Sequence, residues 1–513
     1  MAAATMTSRV LGMVREMVYA DFMGNTWVAS AFTLAFQVPN LFRRLLGEGA
    51  LTAAFIPIFK KKEVQEGESE MWRSGNAVIS GVAAAAGALT ILAVVAITAT
   101  LLIGHTHFKD ETRLMLRLLR LMFPYMLLVC IAAVLIGMAN ARGHFFIPAL
   151  GAVVLNIIMI ASVLFLAPRM GPRLQDQIVG LAIGVVFAGL AQGLFQLPSL
   201  QKEGFSYRWV SPWHDPTVRE VVRKMLPGSI GVAAFQINVL ITQSFAFWMD
   251  DTIVATFNYA VRLMELPQGI FGISLATYLL PTLSGLAAEK KVPEFRQTLS
   301  QGLSYLAFAN LIAAAISLSL ATPIVRLLFE HGQFDADATR RVALALAYLA
   351  PGLLMFSMNN ILARAFYALG DIQTPMKISI VCLGLNLIFA IFLVQRIREA
   401  GLGAANTISA LCNTLLLTYA LRKKLSGLGL TGFRNTLFVL IPAALVAGTV
   451  AYGTLWLWER QLGHQNLPLK IGSVFVPLSI GGLVYWAISW VAKVPAAHDI
   501  ARLAFGRRLR ADG

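Results

Sequence analysis

The chain has 513 residues, 57% apolar and 13% charged, with a formal net charge of +16 and a mean hydropathy of +0.70. An average soluble domain carries about 25% charged residues, so a string of soluble domains is excluded and a polytopic all-α membrane protein is expected. The basic excess is first a question of membrane orientation, to be decided by where the charges fall, before any nucleic-acid partner is invoked. Cys130, Cys382 and Cys412 lie inside apolar runs, with neither disulfide nor metal-ligand spacing.

A spanning helix needs about 20 mostly apolar residues, and about fourteen such runs are predicted. The first half gives 4–23, 27–59, 75–104, 114–139, 145–167 and 177–198. The second half gives 224–249, 252–284, 298–328, 341–369, 375–395 and 402–421, followed by 434–457 and 469–492. The first run carries Arg9 and has no basic segment ahead of it, so it reads as a mature helix rather than a cleaved signal.

The connections alternate in charge. One set is basic: Lys60 to Lys62, Arg142, Lys202 to Lys224, Lys290 to Arg296, Arg422 to Arg434 and a tail ending at Arg510. The other set is sparse, with Lys109, Arg169, Arg173, Arg340, Arg341, Arg396, Arg398 and Arg460. This bias, with an even helix count, places both termini and the basic set in the cytoplasm. A basic face of that kind also attracts anionic lipid.

An internal repeat is visible. Pro39, Gly47, Gly49 and Pro57 in the second run match Pro267, Gly269, Gly272 and Pro281 in the eighth, and Pro124 and Pro148 recur at Pro351 and Pro375. Two six-helix lobes are therefore expected, 1–205 and 218–425, followed by two additional helices in 432–492 and a basic tail, 493–513. Six is even, so the repeats are parallel, an arrangement found in transporters whose two bundles rock about a substrate site. The proline and glycine steps read as hinges or gates, because broken helices at membrane depth are tolerated only against protein or a wet cavity.

An arginine near the bilayer centre costs about 2.5–3.5 kcal/mol on insertion scales, so the charges inside the spans need a reason. Arg44 with Glu48, and Arg262 with Glu265, have spacings at which helical side chains meet, so a structural ion pair stands beside a gating role for each. Arg9, Arg15 and Arg43 have no acid three or four residues away. Snorkelling to the headgroups is the alternative to an anion site, for which arginine's planar fork suits phosphate better than lysine. Glu16 lies about 10 Å along the axis from Arg9, too far to pair with it. There is no HExxH, P-loop or GxSxG sequence, so hydrolysis and nucleotide use find no support.

The strings TSRVLGMVREMVYADFMG, AFQVPNLFRRLLGEGALTAAFIPIF and YAVRLMELPQGIFGISLATYLLPTLS, with FFIPALGAVVLNI and ALGDIQTPMKI, resemble the MurJ (MviN) lipid II flippase family over residues 5 to 490. That family belongs to the multidrug/oligosaccharidyl-lipid/polysaccharide exporter superfamily. The resemblance implies a fourteen-helix inner-membrane transporter, not an enzyme, that moves lipid-linked peptidoglycan precursor outward by alternating access for cell-wall biogenesis. It implies Arg9, Arg15, Arg43 and Arg262 as diphosphate-binding residues and Glu48 and Glu265 as gate acids, with Glu16 and Arg44 in gating or ion pairing. No cofactor or metal is expected; membrane potential or a monovalent ion is the candidate driving force. Lipid II, membrane lipid and the cell-wall synthesis machinery are the expected partners, nucleic acid is not, and a monomer is expected. Against the family pattern, Ser30 and Glu16 stand where Asp is usual, and Gln37 where Lys is usual. Asn238, Asn386, Asn406 and Asn413 fall in the helices that hold sodium in some members, without an interior acid. The alternative is another exporter of the superfamily, a lipid-linked oligosaccharide flippase or a cation-coupled drug antiporter.

Overall fold

The computed structural model describes residues 2–47, 50–104 and 107–499, and every regular element among them is helical. Packing divides the chain into two compact units, Met1–Ala255 with His331–Phe334, and Thr256–Glu330 with Asp335–Gly513. The boundary falls about forty residues beyond the 205–218 division expected from the sequence, so the helix over 216–249 packs in the first unit.

The first unit contains α1 (Ala2–Met23), α2 (Trp27–Phe42), a π-helical turn at Arg43–Gly47 and α3 (Ala50–Glu66). It continues with α4 (Glu68–Ile103), α5 (Asp110–Met122), α6 (Pro124–Ala141), α7 (Phe146–Ala161), α8 (Leu174–Leu194), α9 (Leu197–Lys202) and α10 (Pro216–Met249). Side-chain oxygens set two of the starts. Thr26 accepts from Ala29 N at 3.3 Å, and Asp215 accepts from Thr217 N at 2.8 Å, each satisfying an orphan amide of the first turn. Phe55, Phe59, Met71, Val134 and Met138 form a core among α3, α4 and α6.

The second unit is built from α11 (Ile253–Pro267), a π-helical turn at Gln268–Ile273, α12 (Ser274–Ala288), α13 (Val292–Ser319) and α14 (Ala321–Phe329). Then follow α15 (Ala336–Leu349), α16 (Gly352–Ala368), α17 (Gln373–Lys424), α18 (Thr431–Gln461) and α19 (Leu467–Val491). The last two helices pack on one another, and α18 packs on α13. Phe295, Leu299, Leu303, Phe366 and Tyr485 lie in the core they share. At the turn between α16 and α17, Asp371 accepts from Thr374 N at 3.0 Å and from Lys424 Nζ at 2.6 Å. The Lys424 ammonium holds the Asp371 carboxyl down at about 2.

Nine helical stretches among the described residues are long and apolar enough to cross a membrane, or up to ten with the bent pair α15 and α16 counted as one span. One of the nine, α17, contains two expected spans, because its backbone leaves the helix at Ile397 and Arg398 (φ 50°). An ideal Cβ on Gly401 would lie 2.5 Å from the Leu393 carbonyl, so the two halves of α17 meet closely just after the break. The expected spans outside the set are α1, α2 with α3, and α10. The first two carry the arginines and the helix break. The run 114–139 is interrupted at Phe123, where Pro124 opens α6, and 298–328 is interrupted at Leu320. Large apolar side chains such as Ile91, Leu102, Phe392, Phe438 and Leu483 are well exposed, as they are when lipid is the solvent.

Candidate functional site

The candidate cationic residues of the first unit, Arg9, Arg15, Arg43 and Arg44, lie on α1 and at the α2 break. Halfway along α1, the Arg15 guanidinium donates from Nη2 to Glu16 Oε1 at 2.5 Å and from Nη1 to Asn156 Oδ1 at 3.1 Å. It also stands over the Tyr19 ring, 5.5 Å from its centroid, within the range of a cation–π contact. Glu16 is buried, and the Arg15 side chain is 15% exposed. Among the described residues nothing bonds to Arg15 Nε. Asn156 comes from α7, which packs along α1, and its Nδ2 donates to the Ser8 carbonyl at 3.2 Å. One amide thus clips α1 at two heights, two turns apart.

Two features of this arrangement correct the sequence reading. Arg15 does have an acidic partner, its immediate neighbour Glu16. Spacing rules for helical pairs disregard adjacent residues, but a long guanidinium flexes far enough to reach one. Asn156 was not singled out; its signal was a lone amide inside the apolar run ALGAVVLNIIMIA. Behind Arg15, Tyr19, Phe32, Phe36 and Tyr125 form a row of ring contacts with centroids 5.8 to 6.1 Å apart.

Arg43 sits where α2 gives way to the π turn. Pro39 is buried four residues earlier, and the Arg43 Nε donates to Asn40 Oδ1 at 2.7 Å, a neutral amide one turn back. A π turn carries one residue more per turn than the α-helix, and such turns often mark functional sites. Glu48 and Gly49 lie outside the described residues, so the Arg44–Glu48 pairing is not described. Gly47 closes the π turn. Arg9 is exposed on α1, and no side chain among the described residues bonds to it.

In the second unit, Arg262 Nη1 donates to Glu265 Oε2 at 2.8 Å, the pair expected from the spacing, with side chains 31% and 46% exposed. Pro267 ends α11, and the π turn Gln268–Ile273 contains Gly269 and Gly272, both buried. An ideal Cβ on Gly272 would stand 2.6 Å from Ser357 Oγ, and Ser357 donates to Asn310 Oδ1 at 3.1 Å. Both units therefore carry a π turn shortly after a proline, at the steps the repeat marked out. A further cation absent from the sequence reading is Arg364 on α16, which donates to Thr277 Oγ1 on α12 at 2.8 Å.

The positions that depart from the family pattern are also resolved. Ser30 is fully buried, and its hydroxyl accepts from Ala255 N at 3.1 Å, within the first unit. Gln37 has a buried Oε1 with no partner among the described residues.

Over residues 19–471 the chain matches the family model described as lipid II flippase MurJ. The chain belongs to that family. It is 32% identical to the lipid II flippase MurJ of Burkholderia cenocepacia over 96% of each chain. It is 31% identical to a probable lipid II flippase MurJ of Bdellovibrio bacteriovorus, over 98% of this chain and 95% of the relative. Among solved structures, a lipid II flippase MurJ in an inward closed conformation superposes with a TM-score of 0.77, covering 96% of this chain and 98% of that one at 22% identity. An inward-facing multidrug resistance transporter of the MATE family superposes at 0.66 over 82% of this chain and 96% of that one, at 16% identity. At those identities the two structures establish the fold alone, an all-helical one that the described helices share.

Proposed function

We infer that this chain is a lipid II flippase of the bacterial inner membrane, a transporter rather than an enzyme, with both termini cytoplasmic. Family membership supports the substrate, and the charge bias of the connections supports the orientation. The observation that carries the mechanism is Arg15, a guanidinium inside a membrane helix, fixed by Asn156 and Glu16 and with Nε unused. A cation at that depth is expensive, and a guanidinium repays it best by binding a planar or tetrahedral oxyanion.

In this reading the diphosphate of the precursor is bound by Arg15, Arg43 and Arg262, with Arg9 at the exposed approach. Glu16 and Glu265 hold the guanidiniums between substrates and exchange places with phosphate oxygens. The two π turns are the hinges by which the helices carrying these arginines alternate between inward and outward exposure. The polyprenyl tail remains in lipid throughout. Net transport requires a bias between the two states, for which the membrane potential supplies about 2.3 kcal/mol per charge per 100 mV; a monovalent ion is the other source.

The test is lipid II translocation in cells depleted of their own flippase. Wild-type chain restores it, and Arg43→Ala and Arg262→Ala abolish it while still reaching the membrane at normal levels. Translocation retained by both variants would refute the diphosphate role. Failure of wild type would refute the substrate and favour the drug-exporter branch that the MATE likeness brings in.

A further inference from the structure

In the first unit, α5 carries a stripe of arginines that the diphosphate site does not use. Arg113, Arg117 and Arg120 fall at i, i+4 and i+7, within about 60° of one another around the helix. On the opposite side Leu114, Leu118, Leu119 and Met122 are buried, and α5 packs on α2, α4 and α8. Arg113 Nη1 pairs with Asp110 at 3.2 Å. Arg117 and Arg120 are exposed, and neither bonds to another described residue.

The depth of the stripe follows from the span it opens. α5 and α6 form one span, and Leu121 to Ala141 carry no charge. That stretch rises about 30 Å as helix, the thickness of the hydrocarbon core. At its end Arg142 pairs with Glu68 at 3.0 Å and with Glu203 at 2.8 Å. Arg120 therefore stands at the opposite boundary, with Arg117 and Arg113 further into the headgroup layer. In the orientation proposed above this is the outer leaflet, where the positive-inside bias gives no reason for cations.

The internal repeat shows that the fold does not demand them either. At the spacing that relates Pro124 to Pro351, Asp110 and Arg113 correspond to Asp337 and Arg340, which also pair, at 2.8 Å. Arg117 and Arg120 correspond to Leu344 and Ala347, and Leu344 is 46% exposed. Nor does the surrounding chain neutralise the two arginines. Lys109 to Met122 hold four cations and two acids. The helices α2 and α6 carry no charge, α4 none beyond Arg73, and α8 only Asp176, with Arg173 just before it. An excess of two positive charges remains. On α4, next to the stripe, Leu92, Val95, Leu102 and Ile103 are 61 to 82% exposed, an apolar wall for acyl chains.

We propose that Arg117 and Arg120 bind the phosphodiester headgroups of anionic phospholipid in the outer leaflet, with the acyl chains against the exposed side of α4. The guanidinium fork fits phosphate oxygens, and an anionic lipid cancels the excess charge. A zwitterionic headgroup brings its own ammonium and leaves that excess in place.

The test places a photoreactive benzophenone side chain at Leu116, three residues from Arg113 and four from Arg120. The full chain is reconstituted in vesicles of equal phosphatidylglycerol and phosphatidylethanolamine, and the lipid adducts on α5 are counted by mass spectrometry. Both leaflets have one composition, so the result does not depend on orientation. Phosphatidylglycerol adducts are expected to exceed phosphatidylethanolamine adducts about thirtyfold, the equivalent of about 1 kcal/mol for each of the two basic residues. Arg117→Gln with Arg120→Gln, both exposed, brings the ratio close to one, and Arg117→Lys with Arg120→Lys keeps most of the excess. Equal adducts on the wild-type chain, or an excess that survives the glutamine pair, overturns the proposal. Loss of the excess in the lysine pair as well would indicate damage to α5 rather than lost charge, and overturns it. Displacement of phosphatidylglycerol by a small amount of undecaprenyl diphosphate would assign the stripe to the lipid-linked product instead, and overturns it too.

Discussion

Replacing Asn156 separates the position of Arg15 from its charge. Asn156→Leu removes the acceptor for Arg15 and the donor to the Ser8 carbonyl, 3.1 and 3.2 Å bonds between α7 and α1. Bonds between membrane helices average about 0.6 kcal/mol and reach about 1.7, and one of these is charge-assisted. The expected loss is therefore roughly 1–3 kcal/mol, a fall of a few degrees in thermal unfolding, with α1 loosened. Asn156→Asp keeps the acceptor but replaces the donor to the Ser8 carbonyl with a carboxylate oxygen in a buried place, so it too should unfold earlier than wild type. The charge changes as well. Arg15 and Glu16 sum to zero, and the new carboxylate makes the trio −1. A phosphate charge about 6 Å away is then repelled by about 3 kcal/mol at an effective dielectric constant of 20, on the order of a hundredfold in affinity. Translocation in flippase-depleted cells, read beside unfolding of the purified variants, should show Asp as inactive and Leu as partly active when both have lost stability. An Asp variant that translocates like wild type would remove Arg15 from the diphosphate site.

Other outcomes follow from the packing. Gly272→Ala puts a methyl 2.6 Å from Ser357 Oγ, and overpacking of this kind costs about 1–3 kcal/mol; adding Ser357→Gly relieves the clash but leaves Asn310 Oδ1 without its donor, so the unfolding temperature should recover only in part. Gly401→Ala meets the backbone of Leu393 rather than a side chain, so no second-site truncation on that side relieves it, and unfolding measurements should show the larger loss of the two. The Asp371–Lys424 contact sets a pH window. Asp371 falls from an ordinary 3.8 to about 2 in the folded chain, so its contribution is complete above about pH 4 and is lost as pH drops through about 2. The stability gap between wild type and Lys424→Ala should hold constant from pH 5 to 8 and close only on acidification below 4. A gap that closes near pH 6 would assign the effect to another group.

Much of the architecture was legible because it is written in local chemistry. Pro39 and Gly47, and Pro267 with Gly269 and Gly272, announced breaks that the backbone makes as π turns. The Arg262–Glu265 pair was set by helical spacing alone. The rest depended on distance along the chain. Asn156 lies 141 positions from Arg15 and Ser30 lies 225 from Ala255, and no periodicity links such partners. Glu16 was read for gating or ion pairing, but without Arg15 as its partner. It is too near for the helical-face rule, yet the reach of the guanidinium overrides that rule. The membership of α10 in the first unit is likewise a packing outcome, since α10 lies against α2, α3 and α4 although the repeat assigns it to the second lobe.

The paired π turns also bear on how these helices tolerate change in length. Each turn accommodates about one residue beyond what a continuous α-helix would hold, and one residue is about 100° of rotation at 3.6 residues per turn. The stretches beyond them, α3 and α12, therefore present faces turned by about that angle from the direction in which α2 and α11 would have continued. A single-residue deletion within Arg43–Gly47 or Gln268–Ile273 need not break either helix. It would restore plain α geometry and leave Pro57 or Pro281, with the side chains downstream, against the neighbours they now have. The same deletion made midway through α3 or α12 has no spare residue to absorb it, and turns every side chain beyond it by about 100°.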